Sequence, residues 1–211
     1  LAMLYHQGNG VTQDYKEAVK WFRKAAEQGH ADAQNGLATM YYDGLGVTKD
    51  YKKGVKWFRK SAEQGHAKAQ FNLAHMYSHG QGVTQDYKEA VKWFRKAAQQ
   101  GDASAQYNLA HMYSHGEGVI QDYKEAVKWY RKAAEQGVPA AQFNLAHMYY
   151  QGKGVLKNEI TGLAWDLHAS MNGDTKAKKR IDIQEKNMRR SDIIAAQQEA
   201  KQIQEEIERK K

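Results

Sequence analysis

"YSHGQGVTQDYKEAVKWFRKAA" occupies residues 77–98, and nearly the same words, "YSHGEGVIQDYKEAVKWYRKAA", return at residues 113–134. The offset is 36 residues, and it holds along the chain. Trp21, Trp57, Trp93, Trp129 and Trp165 share it. So do Gly29, Gly65, Gly101, Gly137 and Gly173, and the glycine pairs Gly8/Gly10, Gly44/Gly46, Gly80/Gly82, Gly116/Gly118 and Gly152/Gly154. Three sets of landmarks in one register mean a repeat array, in which each unit buries its apolar face against its neighbours.

Each unit reads as two helices. In residues 66–101, the spacing of Ala69, Leu73, Met76 and Tyr77 predicts helix A from Ala67 to His79. Gly80-Gln81-Gly82 ends it, because glycine takes the left-handed backbone of a helix terminus. Asp86 reads as the N-cap of helix B, with Glu89 as its capping-box partner. Helix B then runs from Tyr87 to Gln100 with Ala90, Val91, Phe94, Ala97 and Ala98 inward. Pro139 falls at the start of a helix A, where the missing N–H costs nothing. Ala18, Gly54, Ala90, Ala126 and Gly162 share one helix B position, which predicts a close helix crossing there. The tryptophan ladder reads as packing between units.

The unit "AKAQFNLAHMYSHGQGVTQDYKEAVKWFRKAAQQG" at residues 67–101 resembles the Sel1-like repeat, a relative of the tetratricopeptide repeat with a longer internal loop. The resemblance covers residues 1 to about 173. It implies an all-α fold, a right-handed α/α superhelical solenoid with helix A on the concave side. It also implies scaffold or adaptor work, often in bacterial signalling, secretion or envelope processes. Disulfide-stapled relatives exist; this chain has no cysteine.

The expected organisation is a truncated first repeat at 1–29, four full repeats at 30–173, and a degenerate half repeat with a C-terminal capping helix at 174–211. Leu1 aligns with Leu37, so the first helix A lacks its opening turn, and residues are expected to precede Leu1. Ala177 and Ile181 still match Ala33 and Leu37, but the pattern dissolves at "QEKNMRRSD". Ser191 reads as the N-cap of a last helix, with Ile193, Ile194, Ala196, Ala200, Ile203 and Ile207 at roughly helical spacing and many charges between them. A partner-binding or coiled-coil role is its alternative, although two heptads are few for a coiled coil.

The 211 residues are 41% apolar, with a net charge of +8 and a mean hydropathy of −0.87. No apolar run is long enough to span a membrane. The absence of cysteine removes thiolate metal sites and Cys nucleophiles, and leaves the redox compartment open. No phosphate-binding loop, zinc-protease helix or nucleophile elbow occurs. The acids read as caps or as surface partners of Lys and Arg, Arg23 with Glu27 for example. No catalytic constellation, cofactor site or metal site is assigned. His75 and His79, and again His111 and His115, share a helix face, but adjacent A helices stand ~10 Å apart while a metal needs its ligands at about 2 Å. The lysine ridges on helix B (Lys16, Lys20, Lys24 and their counterparts) read as a solvated outer face without interleaved aromatics, so no nucleic acid is expected.

Between units the framework repeats and one face of helix A varies. Asn35, Thr39, Tyr42 and Asp43 form one stripe; Phe71, His75, Ser78 and His79 the next; then Tyr107, His111, Ser114 and His115; then Phe143, His147, Tyr150 and Gln151. These stripes, with Thr39, Tyr42, Phe71, His75, Ser78, His79, Tyr107, His111, Ser114, His115, Phe143, His147 and Tyr150 at their centre, are the expected partner-binding residues. The expected protein is a non-enzymatic scaffold that binds a protein or peptide. One alternative is an immunity protein that neutralises a secreted effector such as a lipase, as some Sel1-like proteins do. A hydrolase with its site in the groove is the other. Bacterial periplasm or cytoplasm both fit, and the oligomeric state is open.

Overall fold

The computed structural model describes residues 1–209. Those residues form twelve helices and no strand, in two compact units that divide after Asp102. The first unit holds α1 (Ala2–Gln7), α2 (Tyr15–Glu27), α3 (Ala31–Asp43), α4 (Tyr51–Glu63), α5 (Ala67–His79) and α6 (Tyr87–Gln99). The second holds α7 (Ala103–His115), α8 (Tyr123–Glu135), α9 (Pro139–Gln151), α10 (Glu159–Met171), α11 (Thr175–Asn187) and α12 (Arg190–Arg209). From α1 to α6, and again from α7 to α11, each helix packs on the next, while α12 lies on α10. This is the all-α helix-pair packing of a repeat solenoid.

The copied glycines and aspartates set the helix limits. Gly80 closes α5 at φ 66°. Two residues on, Gly82 passes so close to α4 that an added Cβ would lie 2.5 Å from the Tyr51 carbonyl carbon. The glycine pair therefore both ends helix A and presses its loop onto the preceding helix B. Asp86 accepts from the backbone N–H groups of Lys88 and Glu89. The expected capping box does not close. The Asp86 N–H donates to the Tyr77 carbonyl at 3.0 Å, and the Glu89 carboxylate accepts from Lys92 at 3.2 Å. Arg23 likewise leaves Glu27 and donates to the Tyr41 hydroxyl at 2.9 Å. Arg59 with Tyr77 and Arg131 with Tyr149 repeat that bond.

A buried glutamine in helix A ties three helices together. Gln70 donates to the Ala62 carbonyl of the preceding helix B at 3.1 Å and accepts from Gln100, at the end of its own helix B, at 2.7 Å. Gln34 and Gln142 do the same, with Gln64 and Asn172 as donors. A buried amide with both ends satisfied fixes register as well as adding stability.

The tryptophans differ in burial. Trp93 and Trp165 are 4% and 1% exposed, while Trp21, Trp57 and Trp129 are half-buried. A lysine lies over each of four rings: Lys24, Lys60, Lys96 and Lys132 stand 5.5, 4.7, 4.3 and 4.4 Å from the centroids of Trp21, Trp57, Trp93 and Trp129. Aromatic rings are therefore interleaved with the helix B lysines, against the sequence expectation. The ammonium groups cover the ring faces a base would stack on.

The shared small position has two explanations. A Cβ on Gly162 would come within 2.9 Å of the Tyr150 ring, so glycine makes room for that side chain. A Cβ on Gly54 would meet nothing nearer than the Ala38 carbonyl oxygen at 3.4 Å, an ordinary contact. Gly54→Ala should therefore stabilise the protein by about 1 kcal/mol through helix propensity. Gly162→Ala should destabilise it by about 1–3 kcal/mol through overpacking. Urea midpoints of the two variants check the pair; equal effects would remove the distinction.

The C-terminal part is more regular than its sequence pattern. Asp174 caps α11, accepting from the N–H groups of Lys176 and Ala177, and the helix continues through Asn187 with only Ala177 and Ile181 buried. Ser191 lies inside the first turn of α12 and does not cap it. Ala196 of α12 packs with Leu163 and Ile181. The His168 imidazole of α10 is buried against the Ala200 carbonyl at 2.8 Å, and burial holds it below its ordinary value.

Candidate protein-binding surfaces

In the first unit, Thr39, Tyr42 and Asp43 of α3 and Phe71, Asn72 and His75 of α5 enclose a pocket of about 340 Å³ over Phe58 of α4. Tyr42 donates to the Gln81 side chain at 3.1 Å and its ring lies 5.2 Å from that of Tyr51. Phe71 packs on Phe94 with centroids 5.8 Å apart. The floor is apolar and the rim carries hydroxyl, amide and imidazole groups.

In the second unit, a pocket of about 530 Å³ is lined by Tyr107, His111, Ser114 and His115 of α7, Gln121, Tyr123 and Tyr130 of the next loop and α8, Asn144, His147 and Met148 of α9, and Lys153 beyond it. Asn144 donates to the Tyr130 hydroxyl at 3.3 Å, and burial pushes the Tyr130 phenol up to about 12.

The histidine pairs recur with one geometry. His75 stacks on His79 with centroids 4.1 Å apart and planes at 20°; His111 and His115 repeat this at 4.0 Å and 20°. His79 Nδ1 lies 2.9 Å from the His75 carbonyl and 2.8 Å from Ser78 Oγ. A carbonyl only accepts, so Nδ1 carries a proton. A metal must lie in the plane of each imidazole it binds. Two such nearly parallel planes do not meet within bonding reach. Among the described residues no group of three or more His, Asp and Glu is arranged to hold a metal. Burial, and then the paired ring, hold His75 and His111 below the ordinary imidazole range.

Thr39, Tyr42, Phe71 and His75 thus line the first pocket, and Tyr107, His111, Ser114, His115 and His147 the second. Ser78 and His79 belong to the hydrogen-bonded end of α5. Two residues of the expected surface are covered by other side chains. Tyr150 is 8% exposed and donates to Asp166 Oδ2 at 3.2 Å. Phe143 lies under the Arg180 guanidinium, 3.9 Å from its ring centroid. The cause is the Asp166–Arg180 pair: Asp166 is 0% exposed and Arg180 Nε donates to it at 2.6 Å, while Nη2 bonds its other oxygen.

Phe58, Asn72, Tyr130, Asn144 and Lys153 are pocket residues that the helix A stripes omit. Their signal was in the repeat itself. The helix B position reads Phe22, Phe58, Phe94, Tyr130, Asp166, and the helix A position after it reads Gly36, Asn72, Asn108, Asn144, Arg180. A Cβ on Gly36 would lie 2.5 Å from the Phe22 ring. Tyr130 bonds Asn144 and Asp166 bonds Arg180. The two positions touch, and both change at once only in the last step, to Asp166 and Arg180.

The family model described as the Sel1 repeat matches residues 1–30, 31–66, 67–102, 103–138 and 139–174. The chain belongs to the Sel1 repeat family. Among solved structures, this Sel1 repeat chain is similar to a protective antigen of uropathogenic Escherichia coli displaying an SLR fold, at 36% identity and a TM-score of 0.87 over 97% of the chain. It spans 44% of that antigen's length. It is also similar to a Sel1 repeat protein from Oxalobacter formigenes, at 39% identity and a TM-score of 0.79, covering 84% of this chain and 73% of the other. An immunity protein from Pseudomonas aeruginosa shares the fold, at 21% identity and a TM-score of 0.50, covering 83% of this chain and 67% of the other. No curated protein matches the chain. No helix among the described residues is long and apolar enough to cross a membrane.

Proposed function

We propose that this Sel1 repeat chain is a non-enzymatic module that binds a partner protein or peptide through the exposed faces of its A helices. One observation carries the reading. Most residues copied through every repeat serve caps, turns and the glutamine ties, while both pockets add to copied residues such as Tyr123 and Met148 positions that differ between repeats, Thr39 against His75 and Phe71 against Tyr107. Tyrosine and histidine on a preformed surface suit recognition by shape and a few anchors. The narrower reading, an immunity protein neutralising a secreted effector, is supported by a fold shared with the Pseudomonas aeruginosa immunity protein. A hydrolase has less support, because the buried acid Asp166 is already engaged by Arg180 and Tyr150.

The test compares two double variants against a partner captured by the intact chain. Tyr107→Ala with His111→Ala should keep the helix content and weaken binding by about 2 kcal/mol or more, as at a hot spot. Lys92→Ala with Lys96→Ala should change it by less than about 0.5 kcal/mol, since exposed charges are screened. The reverse order of effects would move the interface to helix B.

A further inference from the structure

The second unit differs from the first around its pocket. The loop position read as Thr12, Thr48 and Thr84 in the early repeats becomes Ile120 and then Leu156. Both aliphatic side chains stand in water, 92% and 90% exposed. The early repeats build the same loop with threonine, so the fold does not require an aliphatic side chain there. Ile120 adjoins Gln121, which lines the pocket, and Leu156 follows Lys153, which also lines it.

Lys153 is the one lysine among the described residues that line the pocket. The Lys153 ammonium lies over the Tyr123 ring at 5.4 Å, while the neighbouring Lys157 is paired with Glu159. His111, His115 and His147 line the same space. Burial, then the charges of Arg180 and Lys153, hold the His147 imidazole below its ordinary value. Arg180 is neutralised by Asp166. Glu117 stands 3.7 Å from His111 Nδ1. A carboxylate would therefore be drawn to Lys153 and repelled by Glu117.

We propose that the pocket between α7 and α9, with Ile120 and Leu156 in the loops that carry Gln121 and Lys153, docks an acidic segment of a partner protein, its carboxylate meeting Lys153 and its aliphatic side chains covering the two exposed loop residues. This rests on the peptide-binding reading and names the chemistry of the partner. Charge complementarity selects the segment and the aliphatic pair adds contact area that excludes water.

Fluorescence anisotropy with the full chain tests it, using a labelled peptide of alternating Leu and Glu and its Leu/Gln counterpart. The acidic peptide should bind about tenfold tighter than the amide peptide. Lys153→Gln should weaken the acidic peptide about fivefold and leave the amide peptide unchanged. Ile120→Thr with Leu156→Thr, which installs the residue of the early repeats, should weaken both about fivefold. Lys96→Gln should change neither. Equal binding of the two peptides, or an equal loss from Lys96→Gln, overturns the acidic chemistry. If Tyr107→Ala then removes both, the peptide-binding reading survives alone. Binding of neither peptide overturns the inference, and the captured-partner comparison still decides the function.

Discussion

Trp165→Ala should cost the protein about 3–5 kcal/mol, the range of large aromatic truncations in a close-packed core. The ring is 1% exposed and packs in one cluster with Tyr130, Leu145, Met148 and Tyr150. Its indole N–H is buried without a hydrogen-bond partner, so the loss is almost all packing. Trp21 provides the contrast. It is half-buried, its indole donates to Glu17 at 2.8 Å, and Lys24 covers its face. Trp21→Ala should therefore cost less than half as much. Urea titrations followed by circular dichroism measure both. Equal losses, or a loss below about 0.5 kcal/mol for Trp165→Ala, would contradict the packing of the second unit.

Arg180→Met should destabilise by about 3–5 kcal/mol, because it leaves a fully buried carboxylate without its partner. The methionine keeps most of the volume, so the effect is one of charge, with the lost hydrogen bond to the Phe143 carbonyl as a smaller part. Adding Asp166→Leu should recover most of the loss, since a buried pair replaced by apolar residues is often neutral or stabilising. The pH dependence has a definite sign. Burial already pushes the Asp166 carboxyl up, and Arg180 and Tyr150 oppose that. Without Arg180 the folded state raises it further above its unfolded value. The folded variant then holds the proton more tightly than the unfolded chain, so its deficit is full above the raised carboxyl pKa and shrinks as pH falls through it towards the unfolded value. A deficit independent of pH would mean that lost packing, and not the stranded charge, is responsible.

The repeat architecture was legible because it rests on residues with one job each. Gly80 must take a left-handed backbone, Asp86 must cap, and Leu73 must be inward; all three were placed from spacing alone. The glutamine ties were not legible, because apolar periodicity does not flag a polar side chain that is buried and satisfied. Tyr42 and Tyr150 show where position in the repeat stops deciding direction. They occupy equivalent sites, each opposite a glycine, Gly54 and Gly162. Phe58 offers Tyr42 no acceptor, and its hydroxyl goes outward to Gln81. Asp166 replaces that phenylalanine in the last full repeat and draws Tyr150 inward. A single polar exchange on helix B thus buries the helix A tyrosine that it contacts directly.

The division between a copied framework and a variable binding face is tested most directly by a hydrogen-exchange footprint of the intact chain with and without a captured partner. Protection should concentrate in the A helices and the loops that follow them, around Phe71 to His75 and Tyr107 to His115, and leave the lysine faces of α4, α6 and α8 unchanged. Protection confined to those lysine faces would contradict the account and make the basic ridge the interface.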